Sequence, residues 1–463
     1  GLQIWVKVLD CNCKMVKAVV GDQAQLELAE EQISRSGVTP QVGLVIGKLS
    51  LQLDRGFIYS LIPTPLNDAG DPACSLTGED LKKKGPKPKS AAPNYTCLTL
   101  DSDWITEHAR QVARMMVGGV KVIGIYVSAS ETVFKNSTTA FCQTLMSVSE
   151  AASLTNNRAD ESLLLHISYS PRRWICRNFT SSSNINSNSL RPCEFKMGKV
   201  LNHLQTFKSD YNFELRLPVI REFSNTFNNI LREGIYTHEK DLKDAKFFID
   251  GNLVLNEESL TAEGQPHNVE FILPFLKTSN FEAVEKNVSG TVVLRGAVSA
   301  FSCSNTKELL SEAVADIRDD IITTLRSRVD TMCEAQEDDE QSTEKAIVNY
   351  VDQKCSLPLP RRVLIPWLSG LFICDYLLPS DTCEAARDHC KEMFSMEMPN
   401  VIEPETLSQC SSFEISEAIS PSIVDLQPSY AKQNCFLQRN FAAFSVFILL
   451  LSIVIGLIIF GRR

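Results

Sequence analysis

The sequence contains no CxxC pair, no two histidines spaced as metal ligands, and no excess of positive charge. Each absence removes a class of protein. Zinc fingers need closely spaced Cys or His pairs. His108, His166, His203, His238, His267 and His389 cannot make an HExxH or HxH pair, because no two of them lie close enough. The formal net charge of −10, with no basic domain or stripe, argues against a nucleic-acid binder. There is no GxSxG elbow and no GxxxxGK[ST] phosphate loop, so serine hydrolysis and nucleotide hydrolysis have no local signature. The 15 cysteines are odd in number and scattered, which fits reduced thiols in a cytosol-facing chain. Gly1 to Lys14 offer no apolar core of a signal peptide. Met15 opens a more natural start, so residues 1–14 read as a non-native extension and Cys11-x-Cys13 is discounted as a metal motif.

What is present is a folding composition. The chain has 463 residues, 44% hydrophobic and 22% charged, and at about 150 residues per domain it holds two to four units. One segment stands apart: Phe441 to Phe460 (FAAFSVFILLLSIVIGLIIF) carries no charge. A helix of about 20 apolar residues spans the roughly 30 Å hydrocarbon layer of a bilayer. Gly461, Arg462 and Arg463 follow it, so the segment is expected to act as a tail anchor with the bulk of the chain in the cytosol.

Upstream, periodicity predicts a helix over Asp22–Ser34, strands at Val42–Gly47 and Phe57–Ile62, and a disordered Lys/Pro-rich insertion over 67–94. Asp101, Ser102 and Asp103 supply cap candidates for a helix whose Ile105, Ala109, Val112 and Met116 line one face. Arg110 and Arg114 are then left for solvent or a partner. Gly118 and Gly119 stop that helix before a strand, Val120–Val127. A helix over Phe134–Ala152, a hairpin of Leu163–Tyr169 with Arg173–Phe179, and a strand at Phe213–Val219 follow. The alternation suggests an α/β sandwich over 15–250 rather than a barrel or bundle. A second α+β unit is expected over 251–398, with strands near Val269–Phe275 and Thr291–Phe301. Its helix carries the stripe Leu310, Val314, Ile317, Ile321 and Leu325, and its hairpin is Arg362–Trp367 with Leu371–Leu377. An acidic loop over 334–344, a helix over Asp381–Met398 and a flexible linker over 399–438 complete the reading.

The run Gly118-Gly119-Val120-Lys121-Val122-Ile123-Gly124-Ile125-Tyr126 after a helix resembles the GG-x-x-V-x-G-x-Y strand of the MPN/JAMM fold, a zinc-dependent deubiquitinase scaffold. VGLVIG (Val42–Gly47) resembles an earlier strand of that fold. Active members continue with H-x-H, seven residues, then S-x-x-D. Laid on this chain, those positions are Val127, Ala129, Ser137 and Ala140. Three ligands are missing together, and Val and Ala supply no donor to a zinc ion. The resemblance therefore implies an inactive MPN-like domain with no catalytic residue, metal or cofactor.

The longer stretch from Leu100 to Met116 and the Gly-Gly strand are similar to the odorant response abnormal protein 4 family. Pro358-Leu359-Pro360-Arg361-Arg362-Val363, Cys374-Asp375-Tyr376 and Arg387-Asp388-His389 resemble its C-terminal block, and SYSPRRWICRN resembles its plant branch. This resemblance implies a non-enzymatic adaptor held in the endoplasmic reticulum membrane by one helix, Phe441 to Phe460. It implies as partners the lipid bilayer, membrane-protein clients of the G-protein-coupled receptor type, and a heterodimer with the protease of the ubiquitin-fold modifier. Other readings stay open: a membrane-anchored hydrolase, metallo- or cysteine-dependent; anchoring in the mitochondrial outer membrane; or a lumenal receptor ectodomain glycosylated at Asn94, Asn136, Asn178 or Asn287.

Overall fold

The apolar runs of the first half become strands of one closed sheet. In chain order the elements are β1 (Ala18–Asp22), α1 (Gln23–Ser36), β2 (Gln41–Ser50), β3 (Arg55–Pro63), β4 (Cys74–Gly78), β5 (Tyr95–Leu100) and α2 (Ser102–Met115). Then come β6 (Lys121–Ser128), α3 (Glu131–Asn136), α4 (Thr138–Ala151), β7 (Glu161–Tyr169), β8 (Arg172–Thr180) and β9 (Leu190–Gly198). The computed structural model describes residues 16–37, 40–50, 52–78, 95–153, 161–180, 189–220, 227–254, 266–273, 288–337, 356–397, 400–403, 405 and 408–414.

Seven strands close into a barrel in the order β1-β3-β2-β6-β7-β8-β9. One set of strand side chains, including Val45, Ile58, Leu163 and Leu165, packs with Leu26, Ala29 and Ile33 of α1. The opposite set, including Leu44, Ile46, Ile125 and Leu164, packs with Ile105, Ala109 and Val112 of α2 and with Phe141, Leu145 and Val148 of α4. The spacing that predicted α2 is thus the spacing that buries it. Asp101 caps this helix, its carboxylate accepting from the Trp104 amide at 3.1 Å, which satisfies one orphan donor of the first turn.

The second sheet has the order β12-β11-β13-β10-β14-β18-β15. Its strands are β10 (Leu204–Ile220), β11 (Lys246–Ile249), β12 (Asn252–Leu253), β13 (His267–Ile272), β14 (Val288–Asn305), β15 (Ser356–Pro358) and β18 (Gln409–Glu414), with β16 (Arg361–Pro366) and β17 (Phe372–Leu377) forming a separate hairpin. The helices are α5 (Phe227–Asp244), α6 (Leu310–Glu337) and α7 (Cys383–Phe394). The stripe Leu310, Val314, Ile317, Ile321 and Leu325 packs on this sheet with Val292, Leu294 and Val298 of β14.

Several sequence expectations are corrected. The expected sandwich is a closed barrel, because β1 and β9 pair in parallel and seal it. Neither strand is assigned from sequence: β1 is five residues long, and β9 (LRPCEFKMG) is interrupted by Pro192. The chain does not divide near Gly251, the expected boundary. β10 lies before that point and pairs with β14 from Leu204–Asn305 to Ile220–Val288, while β16, β17 and α7 contribute Val363, Ile373 and Phe394 to the core beside α2. The described residues belong to one compact unit ending at Glu414.

Within the expected disordered insertion, Cys74–Gly78 form β4, paired with β5. The expected acidic loop begins inside α6, which runs to Glu337. Gln409–Glu414, expected in a linker, form β18 against β14. The helix expected over Phe134–Ala152 is two helices meeting at Ser137, whose hydroxyl donates to the Val133 carbonyl at 2.9 Å and accepts from the Leu98 amide at 2.7 Å. Residues 1–14 and the Phe441–Phe460 segment lie outside the described residues, and among the described residues no helix is long and apolar enough to cross a membrane.

Candidate functional site

The four positions aligned with a zinc site sit around the end of β6. Val127 is fully buried, paired in register with Val42 of β2 and His166 of β7. Ala129 follows the strand and packs against the same core as Val127, and its carbonyl accepts from His166 Nε2 at 2.9 Å. The Ser137 hydroxyl is committed to backbone groups on both sides. Ala140 is half-buried on α4. A methyl or isopropyl group stands at three of the four positions, and none of these can donate to a metal.

Beside Ala129 two rings stack. The His166 ring lies 3.9 Å from that of Phe134, at an interplanar angle of 18°, and the Arg177 guanidinium carbon is 5.0 Å from the Phe134 ring centre. Burial lowers the His166 pKa, and the nearby Arg177 adds to this, although the Ala129 carbonyl pulls the other way. The imidazole is therefore held neutral between a donor role to Ala129 and a stack on Phe134. Sequence reasoning placed His166 in a strand as a structural histidine. It did not place it beside Val127, because that adjacency comes from the parallel β6–β7 register. Among the described residues no group of three or more His, Cys, Asp or Glu side chains is arranged to hold a metal ion.

A second polar centre joins the barrel to α6. Lys48 of β2 is buried, its Nζ 2.6 Å from Asp316 Oδ2, 3.0 Å from Glu308 Oε2 and 3.2 Å from Ser304 Oγ. Burial alone would lower its pKa, but the carboxylates of Asp316 and Glu308 outweigh burial and hold it above the usual range. The adjacent Cys303 thiol is pushed up to about 12 by burial. Burial likewise raises Glu312, with Glu308 adding to it. Gly119, at φ 78°, packs against Asp316: a Cβ added there would meet its carboxylate at 2.3 Å. The Gly-Gly pair that reads as a helix stop thus also makes room for this centre. Deeper on α6, Asp320 takes both Nη atoms of Arg362, at 3.2 and 2.7 Å. In a buried pair of this kind each charge depends on its partner, since removing one leaves the other uncompensated.

His389 and Cys390 are neighbours in α7, and the structure separates their environments. His389 Nδ1 is 3.0 Å from Asp375 Oδ2 of β17, and this hydrogen bond raises its pKa although burial opposes it. Cys390 is fully buried and its thiol is pushed up to about 12 by burial. No nucleophilic dyad forms there, because a buried neutral thiol is unreactive. Arg110 faces solvent as expected and pairs with Glu107 one turn away, whereas Arg114 is half-buried and pairs with Glu334 of α6 at 2.8 Å.

The barrel and the second sheet define a mixed α/β protein. The chain belongs to the Odorant response abnormal 4-like family, whose pattern it matches over residues 43–402. It is 25% identical over 420 residues to Protein odr-4 homolog of Mus musculus, covering 84% of this chain and 87% of that protein. It is 26% identical over 447 residues to Protein odr-4 homolog of Homo sapiens, covering 88% and 92%. Among solved structures, UfSP from C. elegans aligns over 82% of this chain at 9% identity with a TM-score of 0.38. The alignment spans 56% of that longer chain, and similarity at this level does not assign the fold.

Proposed function

We propose that this protein is a non-enzymatic adaptor of the MPN-like type, held in the endoplasmic reticulum membrane by Phe441–Phe460. Its proposed partner is the protease of the ubiquitin-fold modifier, which it recruits or stabilises there, and its proposed wider role is the folding and trafficking of membrane proteins such as receptors. The observation that carries this reading is the replacement of zinc donors by Val127, Ala129 and Ala140, around a His166 that is stacked on Phe134 and bonded to backbone. A protein with no donor at those positions can still present the surfaces of its fold to a partner. Membership of the family supports the trafficking role, and the uncharged twenty-residue run supports the anchor.

The test is co-purification with and without residues 441–463. A stable interface of this kind buries more than roughly 1,000 Å², enough to co-elute on gel filtration. The full chain and the protease are expected to fractionate with membranes together, and the truncated chain is expected to carry the protease into the soluble fraction. If the truncated chain is soluble while the protease stays on membranes, or the two never co-elute, the adaptor reading is wrong. One tightly held zinc per purified chain would instead return the metalloprotease reading.

A further inference from the structure

Cys176 on β8 and Cys193 on β9 are directly opposite one another in the antiparallel register. Residues so placed have Cα atoms about 4.5–5.5 Å apart, inside the roughly 4.4–6.8 Å range that a disulfide spans. Both are free thiols. Cys176 is fully buried among Leu163, Leu165 and Ile167, while Cys193 packs against that cluster half-exposed. Cys193 Sγ donates to the Val16 carbonyl at 3.8 Å and to the Glu194 carbonyl at 3.9 Å, and the neighbouring Cys176 lowers the pKa of Cys193 while its own is raised. The other described thiols differ. Cys74, Cys142, Cys303, Cys333, Cys374, Cys390 and Cys410 are buried, and the partly exposed Cys97 and Cys383 are not register partners of another cysteine.

We propose that Cys176 and Cys193 form a reversible cross-strand disulfide when the protein meets a peroxide, with Cys193 the attacking and Cys176 the resolving thiol. Cys193 thiolate attacks one peroxide oxygen, breaking the O–O bond. It becomes a sulfenic acid, and water leaves with the proton. The Cys176 sulfur then attacks the Cys193 sulfur and displaces the sulfenic oxygen, which leaves as a second water carrying the Cys176 proton. Two thiols are oxidised by two electrons and one peroxide is reduced to two waters. The bond would lie at the barrel seam, since Glu194, the next residue, begins the parallel pairing with Ala18 of β1. Oxidation therefore ties β8 to the strand that closes the sheet.

The test treats the full chain in detergent with hydrogen peroxide, blocks remaining thiols, digests without reductant and maps the peptides by mass spectrometry. The expected result is a Cys176–Cys193 linked peptide that forms before Cys97 or Cys383 is modified and disappears with dithiothreitol. Cys193→Ser should abolish the link and leave Cys176 unreacted. Cys176→Ser should halt Cys193 at a sulfenic acid trapped by dimedone. Should Cys176→Ser fail to fold, the wild-type and Cys193→Ser maps still decide the matter. The proposal is overturned if Cys193 accumulates as a stable oxidised monothiol beside a free Cys176, or if it reacts no earlier than Cys97 and Cys383.

Discussion

Lys48 and Asp316 meet at 2.6 Å across 268 positions of sequence, joining a barrel strand to the long helix of the second sheet. With Glu308 they form a buried centre in which one ammonium serves two carboxylates. Lys48→Met removes the cation and leaves both acids without it. Breaking a buried pair from one side costs about 3–5 kcal/mol. Urea denaturation should show a loss of that order, and a loss under about 1 kcal/mol would mean that water reaches the centre and screens it.

Gly119→Ala addresses the same centre from the backbone side. Gly119 has φ 78°, and a Cβ there would meet the Asp316 carboxylate at 2.3 Å. A left-handed alanine alone costs about 1–2 kcal/mol. Gly37, at φ 63° with nothing within 4 Å of an added Cβ, isolates that backbone cost. Thermal melts should show Gly119→Ala falling further than Gly37→Ala. Equal shifts would show that Asp316 moves aside freely.

His108 makes stability depend on pH. It is buried on α2, its Nε2 2.9 Å from the Met393 carbonyl, and its Nδ1 has no partner. Burial lowers its pKa from 6.5 to about 4, although the Met393 bond opposes this. As pH falls from 6.5 to 4 the unfolded chain takes a proton that the folded chain refuses, so stability drops on acidification. The full loss is on the order of 3 kcal/mol. His108→Gln should flatten this part of the stability–pH curve relative to wild type. An unchanged slope would assign the acid sensitivity to other groups.

Phe134→Ala should remove the ring on which His166 stacks and over which Arg177 lies. Large-to-small core changes of this size cost about 3–5 kcal/mol. With water admitted, the burial that lowers His166 weakens and its pKa should rise toward the ordinary value. Histidine NMR titration reads this directly. A destabilised variant whose His166 titrates as before would show that Phe134 packs there without controlling the imidazole.

Much of this protein was legible in its residues. The spacing of Ile105, Ala109 and Val112 determined both α2 and its buried face, and the Leu310-to-Leu325 stripe did the same for α6. The Asp101 cap and the lack of donors at Val127, Ala129 and Ala140 are likewise local chemistry, readable one residue at a time. Only the tertiary structure decided what depends on pairing between distant segments. Neither the short β1 nor the proline-bearing β9 is assigned from sequence, yet their parallel contact closes the barrel. The register of β6 on β7 set His166 beside Val127, that of β8 on β9 set Cys176 opposite Cys193, and the packing of α6 set Asp316 against Lys48. A strand's own pattern states which face is apolar. It does not state which neighbour it meets, since many pairings satisfy one alternation and only the assembled core selects among them.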